Sequence, residues 1–290
     1  MKKLLLQLDT DKHASSFDRI VPYDAGVDQV LSYGGVEVAD VRSLIYGAFF
    51  TRGVPDLKNT AVWIGGSDVT AGEALLAEAQ AAFFGPFKVS LMLDSNGCNT
   101  TAATAIAKIA RQGGLAGQKA VVIGQGPVGL RAASLLSGEG CQVSVSALPP
   151  DVLGERYDAD LAARGLAAAR KAGLASEAPA DRAAMEGLLD GATIAVAAGP
   201  AGAQVLRRDL WAPHPTLRLL LDFNLNEPLG IEGIKAADDL KERDGKLALG
   251  PLAIGNPKMK VHKACLGKLF ESNDLVLDAA GVYAVAKEIV

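Results

Sequence analysis

Sulfur and imidazole are scarce in this sequence. Its three cysteines, Cys98, Cys141 and Cys265, are odd in number and far apart, which excludes a disulfide framework and a paired-cysteine metal or redox motif. The three histidines, His13, His214 and His262, do not stand at metal-ligand spacing, so no metal site and no histidine-based triad is expected. Basic residues are in no surplus either. The 29 Lys and Arg against 33 Asp and Glu leave a formal charge of -4, without the cationic footprint that nucleic acid requires. No apolar run approaches the roughly 20 residues of a transmembrane helix. Gln7, Asp9 and Asp11 interrupt the N-terminal leucines before a secretory apolar region is complete. The expectation is a cytoplasmic protein with neither a nucleic-acid nor a membrane partner.

What the chain does contain is ordinary globular material: 290 residues, 49% hydrophobic and 21% charged, enough for about two domains. Short β-type runs alternate with helical periodicity from the start, the pattern of α/β units on parallel strands. Strands are expected at 3–9, 28–33, 61–64, 88–93, 119–123, 142–147, 193–198 and 217–223. Helical patterns fall at 37–49, 70–84, from about 99 to 111, and from the glycine loop to 137. Alanine-rich helical stretches follow at 151–172 and 179–189. A tail from 262 to 290 reads as two helices. Asn99-Thr100 is placed to cap the helix that bridges two domains, and Gly113-Gly114 ends it. The expected boundaries are 1–100 with 256–290 for one discontinuous domain, and 101–255 for the other.

The strongest chemical signal is Gly124-x-Gly126-x-x-Gly129, with Gln125, Pro127 and Val128 between the glycines. It follows an expected strand and opens an expected helix, the context a dinucleotide fingerprint needs. Gly124 permits a tight turn, Gly126 lets backbone approach a pyrophosphate, and Gly129 allows close helix–strand packing. Ser146 at the end of the next strand, with Ala198, Gly199 and Asn224 at later strand ends, completes the expected cofactor-binding set. The acid that would bind an NAD ribose is missing, because Ser146-Ala147-Leu148-Pro149-Pro150 occupies that place. Its loss tilts the choice toward NADP and leaves NAD as the alternative. Arg131 and Arg156 are the available cations for a 2′-phosphate, and a solvated helix charge is the more ordinary reading of each.

Ligands of open α/β sheets bind outside the carboxyl ends of the strands. In the first half those ends gather Asp9, Asp11, Asp94, Asn96 and Asn99, an acidic and amide-rich set. It suits a ligand that presents N–H donors or develops positive charge. Turn formation and solvation are the structural alternative for each of these residues. Lys258 and Lys260, in Gly255-Asn256-Pro257-Lys258-Met259-Lys260, read either as a solvated, glycine-bounded loop or as functional amines.

Several longer strings carry a resemblance. They are Gln7-Leu8-Asp9-Thr10-Asp11, Ser16-Phe17-Asp18, Tyr23-Asp24-Ala25-Gly26, Phe84-Gly85-Pro86-Phe87 and Met92-Leu93-Asp94-Ser95-Asn96-Gly97. Asn99-Thr100-Thr101, Gly126-Pro127-Val128-Gly129, Pro228-Leu229-Gly230-Ile231 and Lys268-Leu269-Phe270-Glu271-Ser272 continue it to the end of the chain. The sequence resembles the bacterial NADP-dependent methylene-tetrahydromethanopterin dehydrogenases, some of which also act on methylene-tetrahydrofolate. The resemblance implies an α/β fold with a Rossmann-type NADP domain, a smaller α/β domain, and a reduced one-carbon-carrying pterin in the cleft between them. It also implies a homo-oligomer in one-carbon metabolism.

The implied reaction moves a hydride from the methylene bridge of the pterin to the nicotinamide, leaving the methenyl cation. Because two pterin nitrogens share that charge, neither a general base nor a metal is required. Asp18 and Asp94 are implied to stabilise the developing charge, and Lys258 to position the pterin. Phe17, Asp9, Asp11, Asn96, Asn99 and Lys260 complete the implied substrate set. Two departures fall in the cofactor site. Relatives with firm NADP preference carry a Gly-Arg-Lys type sequence where this chain has Ala147-Leu148-Pro149, and the segment just before Gly124 is one residue shorter. A dehydrogenase for another small substrate, and a pterin- or nucleotide-binding protein without catalysis, are the competing readings.

Overall fold

Parallel strands buried on both faces need continuous apolar runs rather than alternation. Ile194–Ala197 and Thr60–Gly65 are such runs, and every residue in them is buried. The computed structural model describes residues 1–290 and resolves the chain into two units, Met1–Thr100 with Lys258–Val290, and Thr101–Pro257.

In the first unit, β1 (Leu4–Asp9), α1 (Ser16–Asp24), β2 (Gln29–Tyr33), α2 (Val38–Phe50), β3 (Thr60–Gly65), α3 (Val69–Ala81) and β4 (Ser90–Leu93) follow in order. The chain leaves through α4 (Cys98–Ala110) and returns through α10 (Pro251–Lys268), before β12 (Val276–Leu277) and α11 (Ala279–Ile289). The sheet runs β12-β4-β3-β1-β2, parallel throughout. Its order reverses between β1 and β3, the kind of switch point at which open sheets bind ligands. The core on one face joins Leu6 and Leu8 of β1 to Ile45 and Phe49 of α2 and Leu75 of α3.

The second unit contains β5 (Lys119–Ile123), α5 (Pro127–Gly138), β6 (Gln142–Ser146), α6 (Pro150–Leu153), α7 (Ala159–Lys171), β7 (Ala175–Glu177) and α8 (Arg182–Gly187). After these come β8 (Ile194–Ala197), α9 (Arg208–Trp211), β9 (Leu219–Asp222), β10 (Asp239–Arg243) and β11 (Lys246–Leu249). The sheet order is β10-β11-β9-β8-β5-β6-β7, and only the β10–β11 pair is antiparallel. Without β10 this is the doubly wound dinucleotide-binding order, with its switch point between β5 and β8. No helix of the chain is long and apolar enough to cross a membrane.

Several local expectations are corrected. Gly255-Asn256-Pro257-Lys258-Met259-Lys260 is no loop but the middle of α10. Pro257 lacks the N–H that would bond the carbonyl of Ala253 four residues earlier. The Lys108 ammonium donates to that carbonyl instead, at 3.3 Å, so the helix continues. The stretch 151–172 is broken at Gly154, whose φ is 56°, and α7 restarts at the cap Asp158. Asn99 does not cap α4. Asp94 accepts from the Thr100 N–H at 2.9 Å, while the Asn99 amide donates to the carbonyl of Leu93 at 2.6 Å. The tail holds a short strand as well as helices, and α1 and the β10–β11 hairpin join the expected elements.

Candidate active site

In the first unit the switch point opens into a cavity of about 350 Å³, lined by Asp11, Ser15, Phe17, Asp18, Gly66, Ser67, Asn96, Gly97 and Lys258. The loop after β1 is built on carboxylates. Asp9, fully buried, accepts from the N–H groups of Asp11 and Ser15, both at 2.9 Å. Asp11 accepts from the backbone and hydroxyl of Ser67, at 3.0 and 2.7 Å, tying that loop to the end of β3. Ser15 caps α1 by accepting from the Asp18 N–H, which places Phe17 and Asp18 in the helix's first turn.

Across the cavity, the strand end at Asp94 turns sharply through Asn96, whose φ is 54°. Asp94 is 2% exposed and does not line the cavity, and its second oxygen accepts from the Thr100 hydroxyl at 2.6 Å. Lys258 comes from α10 and sets its ammonium 4.9 Å above the Phe17 ring. Two residues further along, Lys260 is exposed and does not line the cavity, because a helix turns i+2 away from i. Asn99 is buried in its bond to Leu93 and also lies outside the lining.

Burial pushes the Asp18 carboxyl up to about 6, and the charge of Asp94 adds to the rise against the pull of Lys258. Burial likewise pushes Asp94 up to about 6, against Lys258 and the donors of Thr100. Near neutral pH both carboxyls are therefore ionised, and the cluster of two carboxylates and one ammonium is net negative. His262, one helical turn after Lys258, stacks on Trp63 at 4.7 Å and meets Phe17 edge-on at 5.8 Å. Its Nδ1 lies 3.8 Å from Asp94. Burial, reinforced by Lys258 and Lys263, lowers its value to about 3. The imidazole is thus neutral and does not offset the Asp94 charge. His262 and Trp63 are absent from the expected site because an isolated His and an isolated Trp carry no spacing signal.

In the second unit, Gly124, Gln125, Gly126, Pro127 and Val128 line a separate, predominantly apolar cavity of about 430 Å³. The three glycines divide their duties. A Cβ on Gly124 would fall on the carbonyl of Ala198, and its φ of 121° admits little but glycine. A Cβ on Gly129 would strike the carbonyl oxygen of Gly124. At Gly126 nothing lies within 4 Å, so the space above the first turn of α5 is open. The fingerprint residues fit a dinucleotide: close packing where strand, loop and helix meet, and room where a pyrophosphate would approach. Ala198 and Gly199 join the wall, with Leu148, Leu153, Arg156, Tyr157, Leu161 and Phe223, which the fingerprint does not announce.

Arg131, Ser146 and Asn224 lie outside this lining. The Ser146 hydroxyl donates to the carbonyl of Ala147 at 2.8 Å. Asn224 accepts from the N–H groups of Gly202 and Asn226, at 3.3 and 3.1 Å, and orders the loops beyond β8 and β9. Asp222 at the end of β9 organises the segment around Pro228-Leu229-Gly230-Ile231. It accepts from the Ile231 N–H at 2.8 Å and the Asn224 N–H at 2.9 Å. Burial pushes its carboxyl up to about 6.

Residues 16–96 match the family described as methylene-tetrahydromethanopterin dehydrogenase, N-terminal. The chain is 30% identical over 308 residues to the NAD(P)-dependent methylenetetrahydromethanopterin dehydrogenase of Methylorubrum extorquens, covering 99% of each protein. It is 42% identical over 292 residues to the bifunctional protein MdtA of the same organism, again with 99% of each covered. Among solved structures, shikimate 5-dehydrogenase from Thermus thermophilus, in complex with NADP(H) and shikimate, shares the fold. The TM-score is 0.50 at 16% identity, over all of both chains. With identity sustained from end to end, this chain belongs to the methylene-tetrahydromethanopterin dehydrogenase family.

Proposed function

We propose that the protein oxidises a methylene-carrying reduced pterin to its methenyl form with NADP, or with NAD, as hydride acceptor. Methylene-tetrahydromethanopterin is the first substrate to test and methylene-tetrahydrofolate the second. The first unit is assigned the pterin and the second the dinucleotide. A homo-oligomeric, cytoplasmic enzyme completes the reading, on the family resemblance.

The observation that carries it is the cluster of Asp18, Asp94 and Lys258 at the first cavity. When a hydride leaves the methylene carbon with both bonding electrons, the pterin keeps a positive charge shared by two nitrogens. A net-negative cluster held in place before the reaction stabilises that charge without reorganisation. Asp18, on the cavity wall, acts directly, and the buried Asp94 adds its field. The Lys258 ammonium, resting on Phe17 and set against both carboxylates, fixes where the ring system can lie, so its role is positioning. Neutral His262 backs Phe17 and leaves the carboxylate charge intact. A bound dinucleotide supplies the nicotinamide C4 that accepts the hydride. Gly124 and Gly129 shape the loop that receives it, and Gly126 keeps the approach clear.

The test is nicotinamide reduction followed by absorbance, with each pterin offered in turn against NADP and NAD. Turnover dependent on a methylene-pterin is expected. A folded protein that binds pterin but reduces neither nucleotide would sink the dehydrogenase reading and leave a binding protein.

A further inference from the structure

We propose that Arg156 is the group by which this chain recognises the 2′-phosphate of NADP. The inference rests on the dehydrogenase reading above and adds a specificity determinant to it.

Doubly wound folds read the 2′ position of the adenosine ribose in the connection that follows the second strand of the sheet motif, here the segment after β6. Its first residues cannot do so in this chain. Ala147 and Leu148 are 4% and 3% exposed, and Leu148 is turned toward Gly199 as part of the core. Pro149 and Pro150 offer no side-chain donor. The place of the usual acid is thus apolar, which removes the repulsion an acid would exert on a phosphate but supplies no attraction.

Farther along the same connection, a single 3-10 turn, Gly154–Arg156, brings a guanidinium to the cavity wall. Arg156 is the only cation lining that cavity. The neighbouring acid, Asp158, lines the same cavity and accepts from the Leu161 N–H at 2.9 Å as the cap of α7. Arg156 donates to a neutral partner, the carbonyl of Ala201, at 3.0 Å. One of its five N–H donors is thereby anchored and others remain for a planar, two-pronged grip on phosphate oxygens. Arg131, the other cation considered, is not on the wall. A single solvent-exposed arginine gives weaker discrimination than a buried basic pair, so preference for NADP is expected to be modest, about tenfold.

The experiment is calorimetric titration of the full-length protein with NADP, NAD, 2′,5′-ADP and 5′-AMP, for wild type, Arg156→Gln and Arg156→Lys. Wild type is expected to bind the 2′-phosphorylated member of each pair about tenfold tighter. In Arg156→Gln that ratio should collapse toward one through loss of NADP affinity, with the NAD Kd little moved, and Arg156→Lys should recover part of it. An unchanged ratio in Arg156→Gln overturns the proposal, and so does an equal loss for NAD and NADP. If wild type binds NAD but shows no NADP preference, the proposal falls while the dehydrogenase reading stands. If it binds neither nucleotide, both fall.

Discussion

The two cavities are made of different materials. The one in the first unit is built from side chains that the chain gathers from its beginning, its first third and its last helices: Asp18, Asn96 and Lys258. The one in the second unit sets a loop of glycines against mostly apolar side chains, with one arginine and one aspartate on its wall. The first holds charge where burial makes charge expensive; the second holds space. On the proposed function, the first has to stabilise a developing cation, which needs fixed charges, and the second to receive a phosphate chain, which needs exposed amides and room.

That contrast is broken most forcefully at Asp18. Asp18→Asn should lower kcat/KM for the methylene-pterin by roughly a hundredfold or more, as when one group of an electrostatic site is removed. Nucleotide affinity measured by titration should stay as it was. In the wild type, kcat/KM should fall as pH drops through about 6, where Asp18 and Asp94 take up protons together. Stability should run the opposite way. Both carboxyls sit above the usual 3.8 in the folded protein, so their contribution is fully present below about 4 and is lost as pH rises through 6. Chemical denaturation across that window should show wild type losing stability that Asp18→Asn loses less of. A flat comparison would mean that the charge is not held at a cost.

Lys258→Met comes next. Loss of positioning should lower kcat on the order of a hundredfold with little change in NADP affinity. Equal turnover in the two proteins would remove Lys258 from the mechanism. The second cavity is sharpened by a paired substitution. Gly126→Ala adds a methyl group to open space at a permitted φ of -72°, so the melting temperature should hold while NADP affinity falls about tenfold. Gly124→Ala drives its methyl into Ala198 at a left-handed φ and should lower the melting temperature instead. The reverse pattern would contradict the division of labour between the glycines. Helix caps remote from either cavity give the smallest effects. Asp181→Ala in the second unit and Asp278→Ala in the first each remove a bond to a first-turn N–H and should reduce stability by about 1 kcal/mol, with turnover unchanged.

The same difference in materials decides what could be read from the sequence. The apolar runs of β1, β3, β5 and β8 announce buried parallel strands, and the glycine spacing announces a backbone-made site, because both are local patterns. The β10–β11 hairpin is hidden by charge: Asp239-Leu240-Lys241-Glu242-Arg243 is an edge strand whose exposed face looks like a loop. The continuity of α10 is hidden by Gly255, Asn256 and Pro257, since the donor that replaces the missing helical bond, Lys108, lies 145 residues away. His262 and Trp63 in the first unit, and Tyr157 and Phe223 in the second, owe their places to tertiary packing alone. Asp94 is legible as a strand-end acid, but its second task of holding the start of α4 is not.

One pairing bears on the order in which the protein is made. The outer edge of β4 is covered by β12, with Val276 against Leu91 and Leu277 against Met92. A ribosome must therefore deliver β12 before that edge can close, while every strand of the second sheet has already emerged. The continuous unit can fold during synthesis, and the discontinuous one waits with an open hydrogen-bonding edge and with Asp94 still lacking Lys258 and His262. Nascent chains halted before residue 270 should thus be the stage at which this protein depends most on chaperones.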